Sequence, residues 1–242
     1  MAASVVVVTG ANGGIGRETV RALLAEGRKV AGLDVASDAL DDLAAAAGGD
    51  LLPVAADVTD TAAVEAAFAQ VDAAFGAPDA LVNIAGTNRV VSLDDTTDEV
   101  WDLLLDLNLK GTFICCRAGV PYLRRRGGGR IITMSSIFGI RGEVQQAAYS
   151  ASKAGVIGLT RALATELAPD GITVNALAPV MTMTPRVAAL AADHQARQLA
   201  KIPLGRYGTV ADIVGTIVFL LSDAGAFYSG QTFSANGGDT MP

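Results

Sequence analysis

The chain has 242 residues, of which 51% are hydrophobic and 18% are charged. Acidic residues outnumber basic ones and give a formal net charge of −7 at pH 7, so we expect neither nucleic acid nor an anionic membrane surface as a partner. No uninterrupted apolar run reaches the roughly 20 residues of a membrane-spanning helix, and no charged leader predicts a signal peptide.

The cysteines and the single histidine predict neither a disulfide nor a metal site. Cys115 and Cys116 are neighbours in sequence and cannot join distant segments, so we interpret them as small buried helix residues in a reducing compartment. His194 has no companion at the spacing of a metal ligand. We therefore expect a cytoplasmic protein without a bound metal.

Short apolar runs alternate with helical patterns along the chain. This alternation predicts an α/β fold, with one Rossmann-type, doubly wound parallel sheet and helices on both faces. No linker, repeat or low-complexity segment interrupts it, so we expect residues 1–242 to form a single dinucleotide-binding domain. The seven predicted strands are Ser4–Val8, Lys29–Asp34, Asp50–Ala55, Ala80–Ile84, Gly129–Ser135, Ile172–Leu177 and Gln231–Ser234.

The predicted helices begin and end at residues that commonly cap helices. Thr96 with Glu99, and Thr209 with Asp212, have the spacing of a capping box. Glycine and proline inside the longest helix, from Gly111 onward, predict a bend there. The predicted helices are Arg17–Glu26, Thr61–Phe75, Thr97–Arg126, a helix that begins near Ala148, and Val210–Ser222.

The turn after the first strand is rich in glycine and reads Thr9-Gly10-Ala11-Asn12-Gly13-Gly14-Ile15-Gly16. Glycines let the backbone turn tightly and approach a pyrophosphate, and the helix that follows offers free N–H groups and partial positive charge. Glycines alone are a weak signal, but between a strand and a helix they predict a dinucleotide site.

The second predicted strand ends at Asp34. A carboxylate at this position can accept hydrogen bonds from the adenosine ribose hydroxyls, and it repels a 2′-phosphate. NAD(H) is therefore predicted as the preferred cofactor. Arg17 is a nearby cation that could hold a 2′-phosphate, and it keeps NADP(H) open as the alternative.

Tyr149 and Lys153 lie four residues apart on a predicted helix, so both side chains leave the same face. An ammonium near a phenol favours the ionised phenolate. Such a pair suits a general acid/base that exchanges a proton with an alcohol near neutral pH. The same spacing occurs on ordinary solvated helices, so the pair indicates an acid/base role only together with the glycine-rich turn upstream.

These motifs resemble, in kind and in order, those of the short-chain dehydrogenase/reductase family, and the resemblance covers essentially the whole chain. The C-terminal third resembles the 3-oxoacyl-thioester reductases of that family. The matching residues are Thr9-Gly10-x-x-x-Gly14-Ile15-Gly16, Asp57-Val58, Asn83-Ile84-Ala85-Gly86, Asn108-Leu109-Lys110-Gly111, Met134-Ser135-Ser136 and Tyr149-x-x-x-Lys153.

The resemblance implies a catalytic tetrad of Asn108, Ser136, Tyr149 and Lys153. Tyr149 would donate a proton to a carbonyl oxygen during reduction or take one from an alcohol during oxidation. Ser136 would hydrogen-bond the substrate oxygen, and we choose it over Ser135 because it lies thirteen positions before Tyr149, as in the family. Lys153 would hold the nicotinamide ribose, and Asn108 would hold a water that passes the proton onward from Lys153.

The resemblance also implies the contacts to the dinucleotide, whose nicotinamide carries the hydride. Asp57 and Val58 would lie at the adenine edge. For Asn83 two roles stay equally open, a structural amide between strands and a direct contact. The implied cofactor-binding residues are Gly10, Asn12, Gly13, Gly14, Ile15, Gly16, Asp34, Asp57, Val58, Asn83, Ala85, Gly86, Tyr149, Lys153, Pro179, Thr182 and Thr184.

Two positions depart from the family's pattern. Ile84 replaces the second asparagine of N-N-A-G, and we expect a change of packing only. Val180 stands where the family commonly has glycine, and a β-branched residue disfavours positive φ. If glycine's freedom is used there, the loop that faces the nicotinamide must differ, although Thr184 can still be assigned to the carboxamide.

The alanine-rich stretch 181–203 corresponds in the family to a mobile lid over the substrate. By the same resemblance, we expect a homotetramer that packs through the long helices around Asn108 and Tyr149 and through the C-terminal strand. The candidates for the wall of the substrate pocket are Ser136, Ile137, Phe138, Glu143, Val144, Gln146 and Met181.

We therefore expect an NAD(H)-dependent oxidoreductase that interconverts a secondary alcohol and a ketone, both small molecules. The alternative is an NADPH-dependent 3-oxoacyl-[acyl-carrier-protein] or 3-oxoacyl-CoA reductase. Asp34 argues against it, and Arg124–Arg126 is the only candidate in the sequence for the basic patch that would dock a carrier protein. A non-catalytic dinucleotide-binding regulator would be expected to lack part of the tetrad, and all four residues are present.

Overall fold

The computed structural model describes residues 4–36, 40–183, 187 and 192–241. Its seven strands form one sheet in the order β3-β2-β1-β4-β5-β6-β7, and every neighbouring pair is parallel. The predicted fold class is confirmed, and each strand agrees with its predicted range to within one residue at either end. The strands are β1 (Val5–Thr9), β2 (Lys29–Asp34), β3 (Leu51–Ala55), β4 (Ala80–Asn83), β5 (Gly129–Met134), β6 (Ile172–Leu177) and β7 (Thr232–Phe233).

The four valines of β1 explain why both faces of the sheet are covered. Side chains alternate between the faces of a strand. Val5 and Val7 belong to one buried apolar cluster, whereas Val6 and Val8 belong to a second cluster on the opposite face. A central strand that buries both of its faces has no polar positions to alternate with, which accounts for its continuous apolar run.

Helices connect the strands on both faces. Three of them, α2, α6 and α8, are absent from the predicted helices: α2 has no buried residue, α6 has only five residues, and α8 lies in the predicted lid. None of the described helices is long and apolar enough to span a membrane. The helices are α1 (Gly14–Ala25), α2 (Asp41–Ala46), α3 (Thr61–Phe75), α4 (Asp98–Leu105), α5 (Gly111–Arg126), α6 (Ile137–Arg141), α7 (Ala147–Leu167), α8 (Ala192–Leu199) and α9 (Val210–Leu221).

The continuous helix predicted over Thr97–Arg126 is wrong in one respect, because a π-helical turn over Asp106–Lys110 separates α4 from α5. The irregularity therefore lies just before Gly111, and Pro121 is contained within α5. A π turn holds an extra residue, and such turns are frequent at functional sites. This one contains Asn108.

The capping prediction is confirmed for α9 and is wrong for α4. The Thr209 hydroxyl accepts a hydrogen bond from the Asp212 N–H, and the Asp212 carboxylate accepts one from the Thr209 N–H. At α4 the cap is Thr97, whose hydroxyl accepts from the Val100 N–H at 3.4 Å. Thr96 does not cap, because its hydroxyl donates to a backbone carbonyl in the preceding turn.

The predicted lid at 181–203 is described only in part. Residues 184–186 and 188–191, which include Thr184, lie outside the described residues. The helix α8 covers much of the remainder, and Ile202 is buried after it.

Helix α6 packs directly on α7, and Gly139 permits the close approach. A Cβ atom at Gly139 would lie 2.6 Å from the Lys153 carbonyl carbon and 2.8 Å from the Ala154 nitrogen. These are backbone atoms, which cannot move aside as a flexible side chain can. The contact fixes Ser136, the residue that caps α6, relative to Lys153 on α7.

Gly139→Ala should separate α6 from α7 and destabilise the protein by roughly 1–3 kcal/mol, as overpacked sites commonly do. The matched control is Gly158→Ala in an exposed part of α7, where a new Cβ would meet nothing within 4 Å. There alanine should be neutral or stabilising by about 0.5–1 kcal/mol, because it favours helix more than glycine does. Urea denaturation measures both variants, and equal stabilities would contradict the packing argument.

Candidate active site

Two adjoining cavities open at the carboxyl edge of the sheet, where ligands of open α/β sheets bind. The larger cavity, of about 890 Å³, is lined mainly by residues at or after the ends of β1, β2, β3 and β4. The smaller cavity, of about 300 Å³, is lined by residues that follow β4, β5 and β6 and by α7. Ile15, Ile84 and Gly86 line both, so the two cavities are continuous.

The larger cavity gathers most of the predicted cofactor-binding residues. Gly16 lies behind it, since a Cβ atom there would fall 2.0 Å from the Gly10 carbonyl oxygen. This glycine therefore lets α1 pack against the turn. The predicted residues that line the larger cavity are Gly10, Asn12, Gly13, Gly14, Ile15, Asp34, Asp57, Val58, Ala85 and Gly86.

The carboxylate of Asp34 fixes the end of β2 against the glycine-rich turn. One of its oxygens accepts a hydrogen bond from the Asn12 N–H at 3.0 Å, and the other accepts from the Val35 N–H at 2.8 Å. Each carboxylate oxygen has a second lone pair, which remains suited to a ligand hydroxyl. Arg17 lines the same cavity and pairs with Asp42 at 2.7 Å.

The smaller cavity brings together Ser136, Tyr149 and Lys153. The Ser136 oxygen accepts a hydrogen bond from the Phe138 N–H at 3.2 Å, so its hydroxyl proton can still be donated to a ligand. The hydroxyl of Ser135 instead donates to the Lys153 carbonyl oxygen at 2.7 Å. Ser136 is thus better placed than Ser135 to meet a substrate.

Lys153 is buried beside the aromatic ring of Tyr149. Its ammonium donates to the Met134 carbonyl oxygen at 2.8 Å and lies 5.7 Å from the centre of the Tyr149 ring. Burial lowers the pKa of Lys153 to about 8, because the charged form loses its hydration. An ammonium has three donors, so two remain for ligand hydroxyls.

Asn108 lies beneath the cavity and does not line it. Its side-chain oxygen accepts from the Thr87 N–H at 2.9 Å, and its amide donates to the Thr87 carbonyl at 3.0 Å and to the Ser152 hydroxyl at 3.1 Å. Both amide hydrogens are therefore used within the protein, and the π turn joins α7 to the segment after β4. The predicted water-holding role of Asn108 stays a prediction.

Comparison with known proteins identifies the family. A family model described as enoyl-(acyl carrier protein) reductase matches residues 10–240. The chain is 41% identical over 239 residues to the 3-oxoacyl-[acyl-carrier-protein] reductase FabG of Staphylococcus aureus (strain N315), a match that covers 97% of both chains. It is 39% identical over 240 residues to the protein of that name from Escherichia coli (strain K12), with 98% of this chain and 97% of the relative covered.

The chain belongs to the short-chain dehydrogenase/reductase family. It is an oxidoreductase, as the resemblance implied.

The described side-chain contact of Asn83 is to helix α5, so both of its predicted roles, an amide between strands and a direct cofactor contact, stay predictions. Its side chain is buried, lines neither cavity, and donates to the Cys116 sulfur on α5 at 3.4 Å. The segment after β4 is fixed instead by Thr9, whose hydroxyl oxygen accepts from the N–H groups of Ile84 and Ala85.

The chain accommodates Val180 without positive φ, which among the described non-glycine residues occurs at Gln145 alone. Val180 is buried against Ile137 and Ile202, so its side chain fills an apolar site beside the cavity. Pro179 and Thr182, two of the predicted cofactor residues, line the smaller cavity. The predicted carboxamide contact of Thr184 falls outside the described residues.

Five of the seven predicted pocket-wall residues line the smaller cavity, namely Ser136, Ile137, Phe138, Gln146 and Met181.

The other two wall candidates, Glu143 and Val144, do not line this cavity and stay predictions. Glu143 pairs with Arg141 and Lys201, and Val144 is 79% exposed. The sequence analysis also missed Thr87, Asn88 and Val90, which line the cavity. They lie in an irregular segment without a periodic pattern, and their closeness in sequence to Gly86 was the only available signal.

The arginines Arg124–Arg126 lie at the end of α5, immediately before β5 begins, and thus at the edge of the sheet opposite the cavities. They pair in turn with Asp170, Asp72 and Asp79. Their charge is therefore compensated, and they do not border this chain's own site. Among the described residues, no group of three histidine, cysteine or acidic side chains is placed to hold a metal ion.

Lys153 should titrate near pH 8 in the free enzyme, whereas an ordinary lysine has a pKa of 10.5, because burial favours the neutral amine. The chain has four lysines, so NMR of protein with ¹³C-labelled lysine side chains can follow each titration. Lys153→Met identifies the signal by its loss. A Lys153 signal that titrates together with the exposed lysines would contradict the assignment.

Proposed function

We propose that this enzyme reduces 3-oxoacyl thioesters to 3-hydroxyacyl thioesters, and catalyses the reverse oxidation, by hydride transfer with a nicotinamide dinucleotide. The observation that carries the proposal is the continuity of two cavities, one holding Ser136 and Tyr149 and the other lined by the glycine-rich turn. The named activity of the relatives supports the thioester over a simple ketone, and the proposal therefore adopts the substrate class of the alternative raised by the sequence, without its NADPH.

Three residues of the smaller cavity have a role in this chemistry. The bound nicotinamide would supply the hydride. Ser136 donates a hydrogen bond to the carbonyl oxygen, where negative charge develops during reduction. Tyr149 donates its proton to the same oxygen, and the nearby Lys153 ammonium stabilises the phenolate that is left.

The proposed cofactor is NAD(H). The carboxylate of Asp34 lies at the end of β2 in the larger cavity, where it would accept hydrogen bonds from ribose hydroxyls and repel a 2′-phosphate. The nearby cation, Arg17, pairs with Asp42, which reduces the attraction that it would offer to such a phosphate.

The carrier-protein form of the substrate gains no support from Arg124–Arg126. These arginines are paired with acids, and they lie at the opposite edge of the sheet from the cavities. The thioester itself is therefore the part of the substrate that we assign, and a coenzyme A thioester is a suitable probe of it.

We further propose a homotetramer in the cytoplasm. Trp101, Leu103 and Phe113 expose apolar surface along α4 and α5, and Phe227 is fully exposed close to β7. These are the helices and the strand expected to pack between subunits. The two free cysteines are buried in α5, which is compatible with a reducing compartment.

Purified enzyme should oxidise NADH when acetoacetyl-CoA is added, and the absorbance of NADH measures the rate. Butan-2-one, a ketone without the thioester, should give a kcat/KM lower by at least about 100-fold, a difference of roughly 2.7 kcal/mol in transition-state binding. NADPH should be used less well than NADH, and Asp34→Ser should shift the preference toward NADPH.

Comparable rates on the thioester and the simple ketone would contradict the assigned substrate class and restore the general alcohol dehydrogenase interpretation. A preference for NADPH in the parent enzyme would contradict the role of Asp34 and indicate that Arg17 holds the phosphate.

A further inference from the structure

Four charged side chains from three separate segments meet next to the smaller cavity. Arg141, at the end of α6, bonds to Asp239 at 2.8 Å and to Glu143 at 2.9 Å. Lys201, two residues after α8, bonds to Glu143 at 2.7 Å. We call these four residues the Glu143 cluster. It joins the loop 142–146, the segment after α8 and the C-terminal loop.

The acidic members of the cluster are shielded from water. The side chains of Glu143 and Asp239 are 9% and 2% exposed. Burial raises the pKa of Glu143, but the hydrogen bonds from Lys201 and Arg141 outweigh it and lower the pKa to about 2. The carboxylate is therefore charged near neutral pH, and its bonds are of the strong, charge-assisted kind.

The same segments are packed together by apolar contacts below the cluster. Ile202, next to Lys201, is buried against Ile137 of α6 and against Val180. The C-terminal loop closes over it, since a Cβ atom at Gly237 would lie 2.7 Å from the Ile202 side chain. The ion pairs thus connect segments that already lie in contact, and they restrict the remaining motion of the loop 142–146.

The loop 142–146 has a backbone that needs support. Gln145 is the one described non-glycine residue with positive φ, at 59°. Such conformations persist where the surrounding structure holds them, and they concentrate at ligand sites. Here the Gln145 carbonyl accepts from the Val91 N–H at 2.9 Å on one side, and Glu143 is held by the cluster on the other.

Phe138 on α6 and Gln146 in the loop both line the cavity. Gln146 is buried and lines the cavity, and its side-chain oxygen accepts no hydrogen bond from the described residues. Arg141 lies over the ring of Phe138 at 5.2 Å, and that ring meets the edge of Tyr149 with their centres 6.4 Å apart. Arg141 of the cluster therefore contacts Phe138, and Phe138 is part of the cavity wall that faces Tyr149.

We propose that Glu143 is a positioning residue for substrate binding: through Lys201 and Arg141 it holds the loop 142–146 and α6 so that Gln146 and Phe138 face the substrate. Glu143 does not touch the substrate. The proposal rests on the proposed function for the identity of the substrate but not for the arrangement of the loop.

The test compares Glu143→Gln and Lys201→Met with the parent enzyme. Each should raise the KM for acetoacetyl-CoA by about three- to tenfold while kcat and the KM for NADH change by less than about twofold, because the binding wall is loosened and the reacting groups stay in place. Lys201→Arg keeps the ion pair and should behave as the parent. The double variant should be no worse than Glu143→Gln alone, since that change already removes the Lys201–Glu143 pair.

The matched control is Asp170→Asn, which makes the same chemical change in the Arg124–Asp170 pair at the opposite edge of the sheet. Its kinetics should equal those of the parent.

A second readout does not depend on turnover. Hydrogen exchange followed by mass spectrometry should show faster exchange in 142–146 and in 200–204 for Glu143→Gln and Lys201→Met, and unchanged exchange for Asp170→Asn.

If the parent fails to reduce the thioester, the proposed function fails, and the KM comparison is made with a ketone that the parent does reduce. Unchanged exchange and unchanged substrate KM in Glu143→Gln would overturn the role of Glu143. A parallel loss of kcat and of NADH binding would also overturn it, by indicating a general structural role.

Discussion

The site depends on one buried lysine that is joined to the sheet by both its side chain and its backbone. The Lys153 ammonium bonds to the Met134 carbonyl at the end of β5, and the Lys153 carbonyl accepts the Ser135 hydroxyl. Gly139 lets α6 approach the same turn of α7. Burying an ammonium is costly, so only tertiary packing of this kind can hold it beside the Tyr149 ring. The geometry of Ser136, Tyr149 and Lys153 follows from that packing.

The rest of the fold forms the cavities that would hold a dinucleotide next to Lys153. Parallel strands place the residues at their carboxyl ends along one edge of the sheet, which is why segments distant in sequence line two continuous cavities. The π turn at Asn108 holds a segment farther from Lys153, because the Asn108 amide joins Thr87 to α7. The Glu143 cluster holds the loop 142–146 on the substrate side of the site. It does so with ion pairs, whereas the packing around Lys153 uses backbone contacts.

The sequence predicted what depends on periodicity and motif spacing. The continuous apolar run of β1 and the Tyr149–Lys153 spacing are local patterns, and both appear in the structure as expected. The structure differs from the predictions where a side-chain partner decides that the sequence pattern does not show. Glu143 pairs with Lys201, nearly sixty residues later, and does not line the smaller cavity. Thr97 caps α4 because Thr96 is already bonded to the turn before it. No local pattern carries such information.

The most direct test of the account is Tyr149→Phe, with NADH affinity and thioester reduction measured on the same preparation. The variant keeps the ring that meets Phe138 and loses only the phenol hydroxyl. The Kd for NADH should stay within about twofold of the parent value while kcat falls by about 10²- to 10⁴-fold, the usual contribution of a general acid/base. Turnover close to that of the parent enzyme, with NADH binding intact, would contradict the assignment of Tyr149 as the proton donor.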